Sequence, residues 1–270
     1  MKVALIDNGS LEPAAHRLLR AVAAALTAGA GRPVAAVSWK HSDRIPAADL
    51  DGIPAWTLAA WVRAALAAGE REFGFVPFFV SPQGAIRSAL RRDLDTLGAA
   101  TGAFAAGFAP GLADAGALAP IVAARIAELA AAQQLARPAV IVVDHGGPSP
   151  RSAALRDEVT AQVRARLGAA VRSVAAASME SPDGPEFAFN RPLLADLLAA
   201  PSAPGDLVIA PLFLSPGRHA GPQGDLARIA AADRTAGRRR HFAGLVGTHP
   251  LAIKTLTDNL VSFLSTPALS

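Results

Sequence analysis

The 270-residue chain has no cysteine and no tyrosine, and aromatic residues make up only 5% of it. Without cysteine there is no disulfide, no thiolate metal site and no sulfur nucleophile. With so few aromatics, and with arginines scattered along the chain, it lacks the interleaved basic and aromatic residues of a nucleic-acid surface. Lysine is scarce too, standing only at Lys2, Lys40 and Lys254. No run of about 18 apolar residues passes without a charge or a breaker, so no membrane span is expected. The opening MKVALIDNGS is too short for a signal-peptide core and reads as a first strand, so a cytoplasmic chain is expected. There is no P-loop, no GxSxG and no GxGxxG, so phosphate-cradling loops and serine-hydrolase chemistry are not indicated.

Hydrophobic residues make up 51% of the sequence, much of that being alanine, with 23 glycines and 21 prolines. This is the composition of a packed globular protein rather than a disordered one. The net charge is +4 and the sequence pI is near 10.5. The one dense basic cluster, RTAGRRRH at 234–241, reads as a solvated turn. An acidic small molecule remains open as a partner.

Short β-branched runs alternate with long alanine, leucine and arginine stretches, the pattern of a parallel sheet covered by helices. Strands are expected at 2–6, 33–38, 73–80, 139–143, 171–178 and 206–214, and helices at 13–28, 55–68, 83–99, 118–132, 150–167, 190–199, 221–232 and 251–264. Pro13 and Pro150 suit a first helical position, where a missing N–H is no loss.

The main feature is a duplication. IDNGSLEP at 6–13 matches VDHGGPSP at 143–150, and VPFFVSP at 76–82 matches APLFLSP at 210–216. More weakly, LAPIVAARIAEL at 118–129 matches LAIKTLTDNL at 251–260. Ordered matches at nearly one spacing predict two similar α/β halves, 1–136 and 137–270.

In open parallel sheets ligands bind beyond the carboxyl ends of the strands. His145 follows the expected strand at 139–143, His219 follows the one at 206–214, and Glu180 leaves the one at 171–178 at the same edge. Gly146, Gly147 and Gly217 let a ligand approach the backbone beside them. Two imidazoles and a carboxylate on three loops suit a divalent metal or proton transfer. The first half has Asn8 in place of His145, Lys40 in place of Glu180 and Ala85 in place of His219. The candidates vanish together while the frame around them persists. His16, His41 and His241 read as structural or solvent-exposed, and the short segment GLVGTHP at 244–250 assigns no role to His249.

The strand ending in HG, the proline-bearing helix start and the segment PLFLSPGRH resemble the CbiX-type sirohydrochlorin chelatases, the class II chelatases of cobalamin and siroheme synthesis. The resemblance covers the chain as two tandem copies and is strongest at 140–225. It implies a two-domain form with a degenerate first half, a cleft between the halves, and His145, His219 and Glu180 as catalytic and metal-binding residues. Asp225 stands six residues beyond His219, where the family often has an aspartate after four, and Gly147 replaces a usual serine.

A chelatase removes two pyrrole protons and strips water from a metal, and neutral imidazoles suit both tasks. The implied partners are a divalent metal (Co²⁺, Fe²⁺ or Ni²⁺) as substrate and an anionic tetrapyrrole, with no tightly bound cofactor. A monomer or homodimer is expected, with no nucleic acid and no membrane as partner. Arg151, Arg191 and Arg218 can pair with substrate carboxylates, Arg218 being the best placed, and Asn8, Lys40 and Gln83 can touch substrate without doing chemistry. A non-catalytic metal- or tetrapyrrole-binding protein on the same frame is the alternative. A phosphate- or sugar-binding protein would use the glycines but leave His145, His219 and Glu180 idle.

Overall fold

The computed structural model describes residues 1–80, 85–200 and 204–266. Its helices and strands form two compact units, one of Met1–Gly116 with Pro250–Ser270 and the other of Ala117–His249. Each unit is a wholly parallel sheet with helices packed against it. The α/β architecture read from the alternating pattern is the one observed.

In the first unit β1 (Lys2–Asp7) is central, flanked by β2 (Val34–Ser38) and β4 (Glu72–Pro77). The two-residue β3 (Trp56–Thr57) and β5 (Ala105–Phe108) are the edges, giving the order β3-β2-β1-β4-β5. Helices α1 (Pro13–Ala30), α2 (Leu58–Ala67) and α3 (Ala85–Thr101) form the crossovers. Phe73, Phe75 and Trp61 meet edge-on or stacked at 5.7–6.4 Å in the core beneath α2 and α3. Burying one such ring contributes roughly 1.5–3 kcal/mol, and this sheet therefore holds much of the chain's small aromatic complement.

In the second unit β6 (Ala139–Asp144) lies between β7 (Ser173–Ser178) and β8 (Gly205–Pro211), with β9 (Arg238–Phe242) outside β8. Helix α4 (Leu118–Ala132) precedes β6, α5 (Pro150–Leu167) follows it, and α6 (Leu194–Ala199) and α7 (Asp225–Ala231) are short. The core here is aliphatic, built on Ile141, Val143, Leu194, Leu207 and Ile209. The chain leaves β6 for β7 on one side and returns to β8 on the other. The order thus reverses at β6, and the carboxyl ends of β6 and β8 frame a crevice of the kind that binds ligands.

The two sheets are built alike, strand end for strand end. The amide of Lys40 donates to Asn8 O at 3.2 Å, as that of Glu180 donates to His145 O at 3.1 Å. Phe78 N donates to Ile6 O, as Leu212 N donates to Val143 O, at 2.8 and 2.7 Å. Asn8 and Lys40 therefore stand in the first sheet where His145 and Glu180 stand in the second.

The last helix of each repeat behaves differently. Helix α4, from the first repeat, belongs to the unit of the second sheet, while α8 (Pro250–Ser265), from the second repeat, belongs to the unit of the first. In that first unit Gly29 lies under Thr257 and Gly74 under Phe263, too close to admit a Cβ. The repeat boundary expected from the sequence lies near 136, while the compact units change over at 116 and 249, so the expected halves and the units differ by this exchange.

Three strands differ from expectation. β3 takes the start of the helix expected at 55–68. β5, Ala-Ala-Gly-Phe, carries little β-propensity. The expected turn at 234–241 includes edge strand β9, whose arginines are held by acids: Arg238 and Arg240 by Asp233, and Arg239 by a two-pronged pair with Asp206. Charge on an edge strand also discourages pairing with another chain. No helix of the described residues is long and apolar enough to cross a membrane. Gln83 lies outside the described residues, as do the first positions of the helix expected at 83–99.

Candidate functional site

Each site residue is delivered by a strand end. β6 stops at Asp144, and His145 and Gly146 follow before Ser149 and Pro150 open α5. Gly146 has φ +82°, and a Cβ there would lie 1.8 Å from Glu180 O. Only glycine allows both the left-handed backbone and this close approach, which brings the loop after β7 against the loop after β6. Gly9 does the same in the first unit, at φ +88° and 1.7 Å from Lys40 O. Gly147 and Gly217 have open space where a Cβ would point. Asn190 brackets the Gly147 peptide, accepting from its N–H at 3.3 Å and donating to its carbonyl at 2.9 Å.

The two histidines meet. The rings of His145 and His219 lie 4.6 Å apart between centroids, inclined at 80°. His145 Nε2 is 3.5 Å from Glu180 Oε1, and Phe213 approaches the His145 ring edge-on at 6.5 Å. His145 Nδ1 lies 2.7 Å from the carbonyl oxygen of Gly146. His219 Nδ1 lies 2.6 Å from Asp225 Oδ2, at the start of α7. Asp225 is also paired with Arg228, and Arg218 Nε stands 3.8 Å from it. The bond from Arg228, then that from His219, holds the Asp225 carboxyl below the usual carboxylate range. His145, Glu180, Arg218 and Arg228 are more than a third open to solvent and His219 is 32% open, while Asp225 is 21% open.

Beneath the pair lies a buried polar knot. Arg156 of α5 is 1% exposed and donates to Ser178 Oγ and to the carbonyls of Phe189 and Asn190. Ser178 in turn donates to Asp144 Oδ1 at 2.6 Å. Burial pushes the Asp144 carboxyl up, against the bond from Ser178 and the charge of Arg156. The knot ties α5, the ends of β6 and β7 and the 3-10 turn Pro185–Asn190 into one rigid floor.

The structure thus brings together His145, His219 and Glu180, with Gly146, Gly147, Gly217 and Arg218 around them. It does not bring in Arg191, which pairs with Asp196 at 2.8 Å, and Arg151 stands exposed on the first turn of α5. Among the described residues, no three or more His, Asp or Glu side chains are placed as a group that can hold a metal ion. His145, His219 and Glu180 as they stand supply neighbouring donors rather than a closed shell. In the first unit the Lys40 ammonium lies over the Trp39 ring, 4.5 Å from its centroid.

The other histidines take supporting places. His16 is 1% exposed with neither ring nitrogen hydrogen-bonded, His41 is exposed, His241 pairs with Asp206 at 2.8 Å and His249 with Glu128 at 3.1 Å. Sequence reasoning missed Arg156, Ser178, Asn190 and the role of Asp225. For Arg156 a signal was present: the repeat has Leu19 at the matching helical position.

The CbiX family model matches residues 139–262, from the first residue of β6 into α8. No curated protein matches the chain. Among solved structures, SirB from Bacillus subtilis with Fe3+ is 13% identical, with a TM-score of 0.68 over 98% of this chain and 96% of that one. The structure titled CbiX, the terminal enzyme for biosynthesis of siroheme in denitrifying bacteria, is 20% identical, with a TM-score of 0.66 over the full length of both chains. The sirohydrochlorin chelatase SirB of Bacillus subtilis subspecies spizizenii, in complex with cobalt, is 12% identical, with a TM-score of 0.65 over 99% of this chain and 97% of that one. At these identities the similarity is one of fold.

Proposed function

We propose that this chain, whose residues 139–262 match the CbiX family model, is a metal chelatase inserting a divalent cation into sirohydrochlorin or a close relative. The observation that carries this reading is the pair of imidazoles 4.6 Å apart at the strand ends of that same segment, with Glu180 3.5 Å from one of them.

Insertion replaces two pyrrole N–H protons by one divalent metal ion and releases both protons. It needs bases that work near neutral pH and donors able to take a partly dehydrated cation, and imidazole serves both needs. In this reading one of His145 and His219 holds the metal through its Nε2 while the other accepts a pyrrole proton, and the first becomes free to accept the second proton once the metal has passed to the macrocycle. Glu180 takes a proton from His145 or adds an oxygen donor to the cation. The open backbone at Gly147 and Gly217 lets a flat macrocycle come close, and Gly146 holds the two loops together beneath it. Arg218 and Arg151 meet the tetrapyrrole's carboxylates, where a guanidinium can bind two oxygens at once.

The metal is a substrate, and nitrogen and oxygen donors of this kind accept Co²⁺, Fe²⁺ or Ni²⁺. Two of the structures named above, both of SirB, were solved with Fe3+ or cobalt, which supports a first-row ion. In this reading the enzyme needs no resident cofactor, acts in the cytoplasm in siroheme or cobalamin synthesis, and is a monomer or homodimer. The first repeat, 1–136, keeps the frame, and the second, 137–270, does the chemistry.

The test is an anaerobic absorbance time course of sirohydrochlorin with each metal, with and without catalytic amounts of protein. Many turnovers per chain, lost in His145→Ala, are expected. A change limited to one equivalent per chain would instead identify a non-catalytic tetrapyrrole-binding protein.

A further inference from the structure

The two histidines are anchored differently. Each has its Nδ1 engaged; the Nε2 of His145 faces Glu180 Oε1 at 3.5 Å, and the Nε2 of His219 is left for other work. His145 Nδ1 faces the neutral peptide carbonyl of its own neighbour, Gly146, at 2.7 Å. His219 Nδ1 faces a carboxylate six residues away, at 2.6 Å. A carbonyl or a carboxylate can only accept here, so in the neutral ring the proton belongs on Nδ1 and the lone pair on Nε2.

We propose that Asp225 is the positioning residue of the site: it fixes the Nδ1–H tautomer of His219 and aims the ring, so that Nε2 is always the nitrogen offered to metal or substrate. Three features make it suited to this. It is the first residue of α7, so its backbone is set by a helix rather than by the glycine-rich loop that carries His219. The amides of Asp225 and Leu226 donate to the carbonyls of Arg218 and His219 at 3.1 Å each, which ties that loop back to the helix. Arg228, one turn on, pairs with Oδ1, the oxygen that does not face the imidazole, and Arg218 Nε stands 3.8 Å from Oδ2, the one that does.

Without the carboxylate, a free imidazole exchanges between its two tautomers and turns about its side-chain bonds. His219 would then present Nε2 only part of the time. Partners of this kind behind a metal-binding imidazole commonly change affinity or activity by about 10–100-fold when removed.

The role in turnover rests on the chelatase reading, while the tautomer does not. Long-range ¹H–¹⁵N correlation spectra of the full chain at alkaline pH, where imidazole is neutral, report which nitrogen carries the proton, with His219 assigned by comparison with His219→Gln. The wild-type chain is expected to show His219 with a protonated Nδ1 and a bare Nε2. In Asp225→Ala the signal should move to the Nε2–H form or to an average of the two. Arg228→Ala, which removes an ion pair from the same carboxylate, should keep the wild-type pattern. In the chelatase assay Asp225→Ala should lose about 10–100-fold in kcat with little change in KM for the tetrapyrrole, and Asp225→Asn, which retains a carbonyl acceptor, should recover part of the loss.

An Nε2–H tautomer in the wild-type chain, or an Nδ1–H tautomer that persists in Asp225→Ala, would overturn the proposal. Because the first of these needs no variant, it decides the matter even if Asp225→Ala does not fold. A wild-type chain with the Nδ1–H signature but no turnover would leave Asp225 its positioning role and remove the chelatase reading instead.

Discussion

Arg156 is the seventh residue of α5 and Leu19 the seventh of α1, and both side chains are buried, at 1% and 0% exposure. At equivalent points of two repeated helices, one half has a charge under its strand ends and the other a methyl group. The charged half is the one with the paired His145 and His219. Replacing Arg156 by leucine should leave Ser178, Asp144 and the carbonyls of Phe189 and Asn190 without their shared donor. Removing one member of a buried ionic network costs about 3–5 kcal/mol. Chemical unfolding followed by circular dichroism should show the second unit weakened by that order, and turnover should fall with it. An unchanged midpoint would show that the knot does not support the site.

The paired histidines are expected to be indispensable. His145→Ala and His219→Ala should each abolish insertion while leaving the circular dichroism spectrum intact, and His16→Leu should leave turnover unchanged. Full activity in either alanine variant would remove the assignment, and a large loss in His16→Leu would place the chemistry in the other unit.

Gly146 and Gly9 form a matched pair of tests. At each, alanine brings a Cβ within 2 Å of a carbonyl oxygen, that of Glu180 or of Lys40, on a left-handed backbone. Both substitutions should therefore destabilise their own unit. Only Gly146→Ala should also cut turnover steeply, because it pushes the loop of Glu180 away from His145. Equal activity of the two variants would separate the strand-end geometry from the chemistry.

The first unit should show opposed pH dependences. Burial, helped by Arg20, lowers His16 to about 4, and burial raises Asp7 to about 6 against its bonds from Ser38 and Gly9. For His16, the unfolded chain takes up a proton below about 6.5 while the folded chain does not until about 4. Its contribution therefore falls as pH drops through that window. For Asp7, the folded chain keeps a proton that the unfolded chain releases near 3.8, so stability is lost as pH rises from there through about 6. Between about pH 4 and 6 the two slopes oppose each other. Asp7→Asn should unmask stability that rises with pH, and His16→Leu stability that falls. The chain's tryptophans, Trp39, Trp56 and Trp61, all lie in this unit. Urea midpoints from tryptophan fluorescence at several pH values read it separately from the other. The same slope in both variants would discard the assignment.

Much of this architecture was legible beforehand. Strands such as Val140–Val143, with apolar side chains on both faces, announce a buried parallel sheet. The helices announced themselves through alanine, leucine and their opening prolines. β9 did not, because its strand is written in arginines whose partners, Asp206 and Asp233, are not adjacent in sequence. His145 and His219 were legible because the repeat allowed subtraction: what one copy keeps and the other drops stands out against a common frame. Asp7 with Ser38 and Asp144 with Ser178 survive in both copies, so the same subtraction hid them. Asp225 was visible as a shifted aspartate, but its bond to His219 depends on how the loop between them folds.

The exchange of α4 and α8 bears on why a half without counterparts of His145 and His219 is still there. The second repeat's own last helix covers the first sheet, and the second sheet is covered by a helix encoded before it. Deleting residues 1–136 would take α4 from the unit that holds His145 and His219 and leave α8 with no sheet to rest on. The chain can discard a set of reactive side chains one at a time, but it cannot discard the copy that carried them without unroofing the one that remains. What the first half supplies, whatever its chemistry, is topology: it encodes the helix that covers the second sheet.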